Sequence, residues 1–159
     1  MAIRTHYLDT SAIVKLLFEE DGSKNLRQYR NTHTVFYPTS LCFAETLGVI
    51  KARYVRKDIS HETYLRVCHR FMMDITNRNI AIEEISITTQ PVHQRVEKYA
   101  ESYGLDISDA FQLYTLKESF VKSFGGDSKT ILITADEALA EAARKENLRV
   151  WDCLREDPP

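Results

Sequence analysis

Short β-rich apolar runs alternate along this chain with stretches whose apolar residues recur every three or four positions. Residues 3–8 read as a first strand. Ile13, Leu16 and Leu17 lie on one face of a helix over 11–20, which Asp21-Gly22 stops. A short helix over 23–30 and a strand over 34–37 follow, the strand closed by Pro38. Thr39 or Ser40 can cap a long helix to about residue 56, and Ser60 another to about residue 77. Leu65, Cys68, Met72 and Ile75 space as the inner face of the second of these. Residues 80–87 read as a strand. Pro91 suits the first turn of the next helix and Gly104 its end. Ser108 can cap a helix to about residue 123, and Gly125-Gly126-Asp127 breaks the chain before a strand over 130–134. A helix over 137–146 and a short strand over 148–151 complete the pattern.

Strands separated by helices predict an α/β fold: one mostly parallel sheet with helices on both faces. No repeat or linker divides the chain, so a single domain is expected over 1–154, with a loose tail over 155–159. In such sheets a site lies beyond the carboxyl ends of the strands.

Four acids stand where structure alone explains them poorly. Asp9 ends the stretch Tyr7-Leu8, and Asp136 follows the run 130–134. Glu45 lies among the apolar helical positions of 41–50, and Asp109 opens those of 110–116. A carboxylate in such a place loses hydration and needs a partner. No Lys or Arg is an obvious local partner for all four. A shared divalent cation would satisfy them together. For Asp9 and Asp136 to converge, their strands should be neighbours.

Composition narrows the class. A chain of 159 residues, 43% hydrophobic and 28% charged, is long enough for one soluble domain with a substantial core. No apolar run is long enough to span a bilayer. The first six residues lead straight into the first strand, so no cleaved signal peptide is expected. Cys42, Cys68 and Cys153 are odd in number and widely spaced, which predicts reduced thiols, a cytoplasmic setting and no zinc site. The formal charge of −2 argues against a sequence-independent nucleic-acid binder. It argues less against a metal-dependent nuclease, whose bound cations reverse the local field.

The acids stand in a familiar order. Tyr7-Leu8-Asp9-Thr10-Ser11 resembles the opening motif of a PIN domain. Phe43-Ala44-Glu45-Thr46 is similar to its second acidic motif, Ile107-Ser108-Asp109-Ala110-Phe111 to its third, and Ile133-Thr134-Ala135-Asp136-Glu137 to its fourth. The resemblance covers nearly the whole chain. The stretch between the third and fourth motifs, residues 123–128 included, is longer than in compact members. The resemblance implies a Rossmann-like fold and a Mg²⁺- or Mn²⁺-dependent nuclease acting on RNA. It also implies a kinship with VapC-type toxins, and hence an antitoxin partner and a homodimer formed through residues 41–73.

The chemistry of the residues agrees, since hard carboxylate oxygens suit Mg²⁺ or Mn²⁺. Asp9, Glu45, Asp109 and Asp136 are assigned to metal binding and catalysis. Asp9 and Asp109 are the direct ligands, Glu45 acts through water or positions the nucleophile, and Asp136 supports them. One ion or two would serve. Thr10, Ser11 and Thr134 can bond these carboxylates or substrate phosphate. Arg53, Arg56 and Lys57 belong to the densest basic run, which reads either as a solvated helix end or as contacts to RNA phosphates. Asp106 reads as a loop or capping acid. His6, His33, His61, His69 and His93 form no metal-ligand spacing. Three other functions compete. A phosphatase with Asp9 as nucleophile would need an acid where Ser11 stands. A PIN-like module without turnover, binding RNA or protein, would need no intact acid set, yet all four acids are present. A housekeeping RNA-processing nuclease would share the chemistry and lack the antitoxin.

Overall fold

The computed structural model describes residues 5–32, 35–120 and 130–159. Three strands form a parallel sheet in the order β1 (His6–Leu8), β2 (Ile131–Thr134), β3 (Arg149–Asp152). Tyr7 pairs with Leu132, and Leu132 with Val150. β1 and β2 are buried along their whole length, as strands covered on both faces must be. Tyr7, Leu8, Leu132, Ile133 and Trp151 supply the centre of the core.

The helices are α1 (Thr10–Leu17), α2 (Ser23–Asn31), α3 (Ser40–Val55), α4 (His61–Thr76), α5 (Gln90–Tyr103), α6 (Ile107–Tyr114) and α7 (Glu137–Lys145). A π-helical segment, Thr115–Phe120, continues α6. No helix among the described residues is long and apolar enough to cross a membrane.

Several local expectations change. α1 ends at Leu17 rather than near residue 20. Phe18 turns extended, and its carbonyl is taken by the Ser23 hydroxyl and the Arg27 guanidinium. The strands expected over 34–37 and 80–87 shrink to isolated parallel bridges, Phe36 to Ile80 and Thr39 to Glu83. Pro38, which has no N–H, interrupts any longer ladder there. α4 buries Val67 and Phe71, while Leu65 and Met72 are 53% and 45% exposed. Apolar residues stand on more than one side of this helix, and the one that packs is set by its neighbours. Asp106, not Ser108, caps α6, by accepting the Asp109 amide at 2.8 Å. The tail expected over 155–159 is anchored at its start. The Arg155 and Glu156 amides both donate to the Asp152 carbonyl, and Trp151 Nε1 donates to the Glu156 carbonyl. The expected residues 3–4 and 34, the helix end near 123 and the stretch 123–128 lie outside the described residues.

Candidate active site

β1 and β2 are neighbours, so the chain leaves both at the same edge of the sheet. Asp9 follows β1 in extended conformation and caps α1, its Oδ1 accepting the Ala12 amide at 2.9 Å. Asp136 does the same for α7, its Oδ1 accepting the Leu139 amide at 2.9 Å. Both acids are therefore helix caps as well as candidate ligands.

Thr134 ties the two together. Its hydroxyl donates to Asp9 Oδ2 at 2.8 Å and accepts the Asp136 amide at 2.9 Å. Ser11 closes the other side. Its Oγ lies 2.9 Å from both Asp9 carboxylate oxygens and accepts the Ala135 amide at 2.8 Å. The Asp9 side chain is thus fixed by one amide and two hydroxyls.

Glu45 reaches the same place from α3. Its Oε2 accepts the Thr10 hydroxyl at 2.6 Å, and its Oε1 accepts a short bond from the Ser108 hydroxyl. Asp109 arrives on the first turn of α6. Asp9, Glu45, Asp109 and Asp136, with Asp106, line one open cleft of about 700 Å³. Among the described residues, no three His, Cys, Asp or Glu side chains form a ready-made metal cluster, so the acids line the cleft walls rather than a closed cage.

The electrostatics of the cleft are those of crowded anions. Burial raises the Asp9 carboxyl to about 6, and outweighs the Ala12, Thr134 and Ser11 hydrogen bonds that favour its charged form. Burial also raises the Asp109 carboxyl, to about 7, with repulsion from Asp106, Asp136, Asp9 and Glu45 adding to it. Among the described residues, the Lys and Arg ion pairs go to other acids. The chemistry of this donor set fits a hard divalent cation, which would relieve the repulsion.

The basic candidates sit elsewhere. Arg53 pairs with Glu20 and holds its guanidinium 4.3 Å over the Phe18 ring. Arg56 pairs with Asp58 at 3.1 Å on the surface. Lys57 is an exposed residue of the α3–α4 turn, with φ at 66°. Of these three only Arg53 approaches the cleft, through Glu20, which lines it. Among the cleft residues that the sequence did not single out as site residues are Ser108, Lys15, Glu20 and Gly48. Ser108 was hidden by its reading as a cap, and the earlier Asp106 was the signal against that reading.

No protein-family model and no curated protein matches the sequence. The fold is similar to that of PAE2754 from Pyrobaculum aerophilum, at 14% identity over 92% of this chain and 83% of that one, with a TM-score of 0.61. It is similar also to that of FitAcB from Neisseria gonorrhoeae, at 13% identity over 96% of this chain and 100% of that one, with a TM-score of 0.63. At such identities the likeness concerns the fold, an α/β, PIN-like arrangement.

Proposed function

We propose that this chain is a divalent-metal-dependent endoribonuclease, the toxin of a toxin–antitoxin pair. One observation carries the reading: four acids distant in sequence line a single cleft at the carboxyl edge of the sheet and draw no Lys or Arg among the described ion pairs. A purely structural set of acids would be expected to end in ion pairs. The toxin assignment rests on the order of the four motifs, with the fold likeness to PAE2754 and FitAcB in support.

Asp9, Glu45, Asp109 and Asp136 are the residues that would hold Mg²⁺ or Mn²⁺. When bound, such an ion lowers the pKa of water and stabilises charge developing on phosphate oxygens. The protein's own contribution is preorganisation. Ser11 and Thr134 hold Asp9 in one orientation, and Thr10 and Ser108 hold Glu45 by both oxygens. A carboxylate has about four acceptor positions, so Glu45 keeps capacity to orient an attacking water. Burial raises the Asp109 carboxyl, and anion crowding, which a bound cation would relieve, adds to it.

An antitoxin that inhibits this site would place a basic side chain among the acids, in competition with the metal. Incubation of labelled RNA with the protein in Mg²⁺, Mn²⁺ or EDTA tests the reading. Cleavage with either cation and none with EDTA is expected. Cleavage in EDTA, or RNA binding without cleavage in either cation, would overturn it, the latter in favour of a binding module.

A further inference from the structure

The cleft extends well beyond the acids. On α1 it is lined by Thr10, Ser11, Val14 and Lys15, and on α3 by Glu45, Gly48, Val49 and Ala52. These spacings place one stripe of each helix along a shared groove. From Glu45 to Ala52 the groove runs about 10 Å along α3, at about 1.5 Å per residue. The acids occupy one end.

The other end is cationic. Lys15 is buried, and its Nζ lies 3.6 Å from Glu20 Oε2. The second Glu20 oxygen takes Arg53, whose guanidinium is set against the Phe18 ring. Two cations thus share one carboxylate, and the group carries a net positive charge. One carboxylate would fully pair only one of them. Lys carries three donor hydrogens and Arg five, so both retain donors beyond those given to Glu20.

Gly48 lies between these two ends. Glycine is a poor residue for the interior of a helix. A Cβ there would meet nothing within 4 Å, so no close packing excludes a side chain. The absence of a side chain does keep this stretch of the groove open.

We propose that Lys15 and Arg53, bridged by Glu20, bind a backbone phosphate of single-stranded RNA next to the one hydrolysed, with the intervening nucleotide lying over Gly48. The proposal rests on the ribonuclease reading and names the part of the substrate that the far end of its site takes. Positive charge at one end and acids at the other also orient the strand. A phosphate bound by Lys15 leaves its neighbour to reach the acidic end only once a cation is present there.

The test is the salt dependence of binding of a short fluorescein-labelled single-stranded RNA of mixed sequence, by anisotropy with Ca²⁺ as the cation. Lys15→Met is expected to weaken binding roughly tenfold and flatten the log–log salt slope by about 0.7, the value for one lost phosphate contact. Glu20→Gln frees both cations and should tighten binding and steepen the slope. Gly48→Leu should weaken binding while the melting temperature holds or rises. Wild-type affinity and slope in folded Lys15→Met, or wild-type affinity in Gly48→Leu, would overturn the proposal. Should Lys15→Met fail to fold, unchanged or weaker binding by Glu20→Gln would overturn it instead. A wild-type protein that neither binds nor cuts RNA with Mg²⁺ or Mn²⁺ would overturn the ribonuclease reading beneath it.

Discussion

Thr134 donates its hydroxyl to Asp9 across 2.8 Å, joining the last residue of β2 to the first acid beyond β1. Through the same oxygen it accepts the Asp136 amide. One side chain therefore sets the spacing between two of the four acids. Thr134→Val keeps the shape and removes the hydroxyl. It leaves the Asp136 amide without this acceptor and Asp9 without one donor. The expected loss is about 1–3 kcal/mol of stability, read by urea unfolding, with a larger proportional loss of RNA cleavage.

Stability in the absence of metal should fall as pH rises from about 4 to about 7. Asp9 and Asp109 have carboxyls raised by burial, from 3.8 to about 6 and about 7. Below the unfolded value both states are protonated and the groups cost nothing. Between the unfolded and folded values the folded protein holds protons that the unfolded chain has released. Stability therefore declines with pH through that window, and the loss is complete above about 7. Chemical denaturation in EDTA across this range measures it. Saturating Mn²⁺ should reverse the trend, because its binding favours the ionised carboxylates.

Ser108→Ala should loosen Glu45 without unfolding the protein. Ser108 sits near the start of α6 and donates to Glu45 Oε1, while Asp106 keeps the cap. Metal affinity or cleavage rate should fall by about ten- to a hundredfold, as is usual when a ligand loses its supporting hydrogen bond. Calorimetric Mn²⁺ titration of the variant checks this. A variant with unchanged affinity and rate would remove Ser108 from the account.

We propose that the homodimer expected from residues 41–73 uses the exposed apolar residues of α3 and α4. Val55, Leu65, Met72 and Met73 on α3 and α4 are all at least 40% exposed. Leu65 and Met72, seven residues apart, share a face of α4, and exposed apolar patches are characteristic of an interface. Sedimentation should give a dimer at micromolar concentration, and Leu65→Lys with Met72→Lys should give a folded monomer.

What the sequence made legible was decided by local chemistry. β1 and β2 are each followed closely by an acid, Asp9 and Asp136, and parallel pairing through flanking helices follows from the alternation of elements. Asp9, Glu45, Asp109 and Asp136 could be picked out because a carboxylate among apolar residues is locally conspicuous. The inner face of α4 could not, because apolar residues line the helix on more than one side and only tertiary packing selects Val67 and Phe71. The edge segment over 80–87 alternates partly like a strand, yet its pairing is limited by Pro38, far away in sequence. Ser108 and Asp106 both suit a cap and stand two residues apart; Asp106 takes the Asp109 amide, and Ser108 donates to Glu45, a contact that sequence does not display. Lys15 and Glu20 carry no local signal in the sequence, and the fold places both beside the cleft.

The proposed role of the Asp9 carboxylate is to hold a metal as well as to cap α1. Asp9→Asn tests it, because the amide oxygen can still cap α1 while the charge is gone. Cleavage of labelled RNA by the purified variant in Mg²⁺ and Mn²⁺ is the measurement, alongside its melting temperature in EDTA. Cleavage should be abolished and the melting temperature should equal or exceed that of the wild type, since one of the crowded anions has been removed. Cleavage at the wild-type rate would contradict the metal-holding role.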